Sequence, residues 1–155
     1  VSGTVDYFAY GSNLSRSRIT RPDRAPSALS IAIGRLPGHT LRFHKRGRLD
    51  GTGKCNAFRT GAASDRVFGV IYRVTTTERD LLDRAEGEGD GYRRRWVRLS
   101  TDQGSAEAFT YVAERGHIDE ALRPLPWYLA LVIEGAREHG LPEWYVEGMI
   151  RSAAA

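Results

Sequence analysis

Polar and apolar positions along the chain switch repeatedly between a period of two residues and a period of about 3.6. Val5, Tyr7 and Ala9 alternate with Asp6, Phe8 and Tyr10, the signature of a short strand. Gly11-Ser12-Asn13 follows, and Leu14 to Ile19 reads as a helix with Ser or Asn as its cap, broken by Pro22 and Pro26. Ala28 to Leu36 predicts a strand with Leu29, Ile31 and Ile33 on one face. Pro37-Gly38 turns the chain into a second strand, Thr40 to His44. The glycines of Lys45 to Lys54 make that segment a loop, and Cys55 to Thr60 is a further short strand. Val67 to Val74 is apolar on both alternating faces, as expected of a strand buried on both sides.

Thr75 with Glu78 three residues later forms a capping box that opens a helix through Glu86, and Gly87 stands where a terminating glycine belongs. Tyr92 to Ser100 and Ala106 to Val112 predict a hairpin around Asp102-Gln103-Gly104. For Ala113 to Arg123 the best reading is a short helix over Ile118 to Leu122. Pro126 fits the first position of a long helix ending at His139 with Gly140 as its stop, and Pro142 starts a last helix with Tyr145, Val146, Met149 and Ile150 inward. Strands with an inserted helix, then two closing C-terminal helices, predict an α+β fold with a mixed sheet.

At 155 residues the chain is expected to form a single domain over 1–155, with about 1–4 and 152–155 as frayed tails. No apolar run approaches membrane-span length, so no membrane partner is expected. The single cysteine, Cys55, cannot close an intramolecular disulfide, and a reducing, cytoplasmic location follows as the expectation. The four histidines are scattered without paired ligand spacing, so no metal is expected. The net charge of +4 rests almost wholly on arginine, with lysine only at Lys45 and Lys54. The densest run, Arg93-Arg94-Arg95, lies in an alternating strand that sends its side chains to both faces. That is a poor nucleic-acid module, and an anionic small substrate accounts for the charge equally well.

Two stretches carry candidate chemistry. Gly11-Ser12-Asn13 joins a strand to a helix start; glycine there can take positive φ or admit a close approach, and several backbone N–H groups converge on one point. That suits a carboxylate, a phosphate or an oxyanion, and an ordinary βα turn with a capped helix is the alternative reading. Ser12 lacks the second glycine of a nucleophile elbow and has no evident base, so it reads as a capping or binding residue. Glu86 shares a helix face with Leu82 and so points to the packed side, at the negative pole of its helix. Both placements disfavour the ionised carboxylate, which suits proton transfer near neutral pH. A surface glutamate closing a helix is the alternative reading.

Tyr7-Phe8-Ala9-Tyr10-Gly11-Ser12-Asn13-Leu14 resembles the YFAYGSNL signature of γ-glutamylcyclotransferases. Val67 to Tyr72 resembles the central strand of that family, and Leu82-Asp83-Arg84-Ala85-Glu86-Gly87 its LDxxEG helix end. Pro126-Trp127-Tyr128, Gly135 to Pro142 and Tyr145 resemble its closing segment. The resemblance implies a partly barrel-like mixed sheet, with a cavity between the opening loop and the LDxxEG helix. It implies a reaction in which an L-γ-glutamyl amide cyclises to 5-oxoproline and frees the attached amine. Glu86 matches the acid/base glutamate of the family. Tyr7, Tyr10, Gly11, Ser12 and Asn13 fall in its substrate loop, and Tyr128 matches a tyrosine lining the site. Because the α-amine of the substrate is the nucleophile, the reaction calls for no cofactor. A homodimer is left open.

The loop Asp50 to Ala57 departs from the glycine-rich stretch of the animal enzymes and resembles bacterial members. Leaving-group choice is expected to lie there, and a glutathione-pathway substrate does not carry over. Two alternatives stay open: a hydrolase in which Glu86 activates water, and a binding module that keeps the pocket without turnover.

Overall fold

The computed structural model of the chain describes residues 3–155. Seven strands form: β1 (Thr4–Ala9), β2 (Leu29–Pro37), β3 (His39–Arg46), β4 (Gly53–Arg59), β5 (Arg66–Thr75), β6 (Tyr92–Thr101) and β7 (Gly104–Ala113). Five of them close into a barrel in the order β1-β5-β2-β6-β7, while β3 and β4 pair apart as a two-stranded sheet. Every barrel pairing is antiparallel except the one that closes it, where β1 runs parallel to β7 with Tyr7 opposite Phe109. The architecture is the mixed α+β, barrel-like one expected, with the split of β3–β4 from the barrel as an addition.

The strand buried on both faces is β5, where Val67 through Tyr72 are all inaccessible. Its Gly69 lies opposite Gly34 of β2 and leaves room for the Phe8 ring. A Cβ at Gly69 would sit 2.3 Å from the Ala9 carbonyl oxygen and 2.7 Å from Phe8. The large apolar side chains exposed on β2 are Leu29 and Ile31, at the end of the strand where the register shifts between Ser30 and Ala32.

Helix α1 covers only Arg16–Ile19, α2 spans Thr76–Glu86, and α3 spans Pro126–Glu138. The capping box of α2 is complete: Glu78 N–H donates to the Thr75 hydroxyl, and the Glu78 carboxylate accepts from Thr75 N–H. Gly87 ends α2 at φ 71°. After Pro142 the chain is helical from α4 (Glu143–Tyr145) through a π turn (Val146–Ile150) to α5 (Arg151–Ala154), burying Tyr145, Val146 and Ile150.

Three expectations need correction. The stretch after Gly11 is a 3₁₀ turn, Ser12–Leu14, and the cap of α1 is Ser15, whose hydroxyl accepts from Arg18 N–H; neither Ser12 nor Asn13 caps it. Ile118 to Leu122 is not helical, because Ile118 pairs with Lys45 of β3 and a 3₁₀ turn forms earlier, at Arg115–His117. The tails are more ordered than composition implies: Thr4 pairs with Thr75, and residues 152–154 continue a helix whose Ala153 and Ala154 pack on the core. Val1 and Ser2 lie outside the described residues.

Candidate active site

Strand β1 delivers Tyr7 and Tyr10 to one end of the barrel and releases the chain at Gly11. The glycine is needed for proximity and not for a left-handed backbone: its φ is −118°, and a Cβ there would lie 2.9 Å from Cys55 Cβ. Leu14 N–H donates to the Gly11 carbonyl and Ser15 N–H to that of Ser12. Among the described residues, the N–H groups of Gly11, Ser12 and Asn13 donate to no backbone carbonyl, as expected at the start of a helical turn. Helix α3 holds this turn from behind. A Cβ at Gly135 would sit 2.4 Å from the Ser15 nitrogen, and His139 Nε2 and the Tyr72 hydroxyl both donate to the Leu14 carbonyl, at 2.9 and 3.0 Å.

Helix α2 brings Glu86 to the same place. Leu82, one turn earlier, is fully buried and seats the helix on the barrel, and Asp83 ties its end to β6 and β7. The Asp83 carboxylate accepts from the Tyr111 hydroxyl (2.6 Å) and from the Arg94 guanidinium. The Glu86 side chain is left 19% exposed, so it opens onto a cavity but stands clear of bulk solvent.

Asn13, itself buried, joins the two halves. Its Nδ2 donates to Glu86 Oε1 at 2.6 Å and to the Tyr7 hydroxyl at 2.9 Å, while its Oδ1 accepts from Arg24 Nη1 at 3.2 Å. Arg24 Nη1 also stands 3.6 Å from Glu86 Oε1 and supplies the counter-charge of the carboxylate. Burial and the helix pole were the only influences on Glu86 legible beforehand; the cation and the amide donor are additions of the structure. Tyr7 is pushed well above the ordinary tyrosine range by burial, with Glu86 adding to the effect, so it stays a neutral hydroxyl.

The far wall is built on Cys55 of β4. Its N–H donates to the Tyr128 hydroxyl at 3.0 Å, and its carbonyl accepts from the Tyr92 hydroxyl. Both backbone groups of one residue are thereby fixed by tyrosines of different elements. Burial drives the Cys55 thiol up to about 12, so it is no nucleophile at neutral pH.

All seven residues singled out beforehand (Tyr7, Tyr10, Gly11, Ser12, Asn13, Glu86 and Tyr128) line one narrow cavity of about 30 Å³. Cys55, Tyr92 and Tyr111 line it as well and were missed. Nothing in their sequence surroundings marks them, since each is one position of an ordinary alternating strand. Arg24 was missed for a different reason: a buried arginine in an irregular Pro-flanked loop carries no periodic signal. The cavity opens past Ser12, Glu86, Tyr92 and Tyr128 into an outer chamber of about 210 Å³. No group of three or more His, Cys, Asp or Glu side chains among the described residues could hold a metal ion. No described helix is long and apolar enough to cross a membrane.

Comparison with known proteins agrees with this geometry. Residues 66–149 match the model of the AIG2-like family. The chain is 33% identical over 144 residues to a bovine (Bos taurus) protein named gamma-glutamylcyclotransferase, covering 90% of this chain and 73% of that one. It is 32% identical over 146 residues to the human (Homo sapiens) protein of the same name, covering 91% and 74%. A solved structure titled gamma-glutamyl cyclotransferase superposes with a TM-score of 0.85 at 28% identity, over 97% of this chain and 88% of the other. The chain belongs to the γ-glutamylcyclotransferase family and is an enzyme of the cyclotransferase kind.

Proposed function

We propose that the enzyme converts an L-γ-glutamyl amino acid or amine to 5-oxoproline and the free amine, with Glu86 as general acid/base. The observation that carries the reading is the approach of the Glu86 carboxylate to the Gly11-Ser12-Asn13 turn across one cavity, bridged at 2.6 Å by the Asn13 amide. The γ-glutamyl group enters with its α-amine towards Glu86 and its γ-carbonyl oxygen towards the backbone N–H groups of the turn. The amine nitrogen attacks the γ-carbonyl carbon, and Glu86 takes the proton released from that nitrogen. The oxyanion that forms is stabilised by the N–H groups of the turn. On collapse the bond from that carbon to the departing nitrogen breaks, and Glu86 returns the proton to the departing amine.

The attack is intramolecular by the constitution of the substrate, and holding the glutamyl chain folded keeps its amine in reacting geometry with the γ-carbonyl. Asn13 and Arg24 act as positioning residues for Glu86. The ring of buried tyrosines (Tyr7, Tyr10, Tyr92 and Tyr128) gives a wall of neutral hydroxyls that does not compete for the proton. The test is a panel of γ-glutamyl dipeptides and γ-glutamyl amines read by mass spectrometry. The expected product is 5-oxoproline; glutamate as the sole product would replace cyclisation with hydrolysis.

A further inference from the structure

The two chambers of the site differ sharply in charge. The inner cavity has no lysine or arginine in its wall; its lining is tyrosine, Gly11, Ser12, Asn13, Cys55 and Glu86. The outer chamber is faced by five cations, Arg18, Arg24, Lys45, Arg48 and Lys54, against two carboxylates, Asp50 and Glu86. Arg24 is taken up by Glu86 at 3.6 Å and Lys54 by Asp50 at 3.2 Å. Among the described residues, Arg18, Lys45 and Arg48 have no carboxylate within 4.0 Å.

Lys45 is buried, Arg18 is half-buried, and Arg48 is exposed but braced against the end of α2. Lys45 is only 2% exposed, with its ammonium 4.4 Å above the Tyr92 ring. Burial lowers its affinity for the proton, and Glu86 acts in the opposite direction. Arg18 has its Nε buried without a hydrogen-bond partner and its guanidinium 5.9 Å from the centre of the Trp127 ring. Arg48 lies across the end of α2, donating to the Arg84 carbonyl and packed against Gly87, where a Cβ would meet its Nε at 2.5 Å. A buried ammonium without a counter-ion is costly and gains most from an incoming anion.

Resting on the reading that the γ-glutamyl group occupies the inner cavity, we infer that the outer chamber selects a leaving amine bearing two carboxylates, a dicarboxylic amino acid. The glutamyl part brings an α-carboxylate of its own, and one of the three unpaired cations is enough to meet it. Two cations remain for the leaving group, and the single α-carboxylate of an ordinary amino acid cannot satisfy both. A side-chain carboxylate supplies the second anion at the mouth, where Arg48 reaches in from the β3–β4 loop. A polycationic leaving amine meets charge of its own sign in the same place.

The experiment compares γ-glutamylglutamate with γ-glutamylglutamine, the uncharged isostere, with γ-glutamyllysine as a third substrate. The expected kcat/KM ratio of the first to the second is about tenfold or more, the scale of one charge-assisted contact, with the lysine peptide slower still. The ratio should fall towards one in Arg48→Gln, whose side chain is not part of the core, and in Lys45→Met if that variant folds. A wild-type ratio near one, with 5-oxoproline released from both peptides, would overturn the inference and leave the cyclotransferase reading standing. Turnover of these peptides to glutamate, or none at all, would instead overturn the reading on which it rests.

Discussion

Replacing Asn13 by alanine tests the join between the two halves of the site. In the native chain the buried amide donates to Glu86 Oε1 and the Tyr7 hydroxyl and accepts from Arg24. The substitution removes two bonds to charged groups, worth about 1.5–3 kcal/mol each, and one to a neutral hydroxyl, worth about 1 kcal/mol, so the expected loss of stability is about 4–7 kcal/mol. For a chain of this size that lowers the melting temperature by about 8–28 °C. Activity should fall as well, because Glu86 keeps only Arg24 to orient it. Thermal unfolding followed by circular dichroism, with kcat/KM measured well below the new midpoint, reads both effects. Asn13→Asp keeps the shape and the contact with Arg24 but sets a carboxylate against Glu86, and should lose at least as much activity as the alanine variant. An alanine variant with wild-type melting and wild-type kcat/KM would refute the proposed role of Asn13.

Three further outcomes follow from local geometry. Gly11→Ala should cost about 1–3 kcal/mol through overpacking against Cys55; since the clash is with Cys55 Cβ at 2.9 Å, Cys55→Gly should recover part of that loss, and strict additivity in the double-mutant cycle would contradict it. Burial pushes the Glu78 carboxyl up, but bonds from Thr75 and Ser27 outweigh this and hold it below its usual value of 4.5. With its folded value depressed, the stability it contributes is present above pH 4.5 and is lost as pH falls below that, so Glu78→Gln should flatten the acid limb of a stability–pH curve. Cys55, buried and with its thiol raised to about 12, should resist iodoacetamide in the native protein and react on unfolding; rapid native alkylation would contradict the packing of Gly11 and Tyr128 against it.

Much of the fold is legible in short-range pattern. The capping box at Thr75 and Glu78, the terminating Gly87, the hairpin of β6 and β7 and the doubly buried β5 are each written in a short continuous stretch of sequence. What is illegible is long-range. Nothing near Tyr7 specifies that it lies beside Phe109 and closes a barrel, and nothing in β3 announces that it leaves the barrel to pair with β4. The cap of α1 was misplaced because Ser12, Asn13 and Ser15 all favour that position. Only the packing of Gly135 on the Leu14–Ser15 backbone decides among them. The same division holds for the site. Glu86 could be aimed inward from its helical relation to Leu82, whereas Arg24, Tyr92 and Tyr111 reach the cavity only through the tertiary fold.

The central claim is that one carboxyl, Glu86, carries the proton from the attacking amine to the departing one. Its most direct test is the rate of 5-oxoproline release by Glu86→Gln, followed by mass spectrometry on a substrate that the native enzyme cyclises. The account predicts a folded variant with kcat reduced about 10²–10⁴-fold, the usual contribution of a positioned acid/base group. A folded variant that forms 5-oxoproline at the native rate would contradict it.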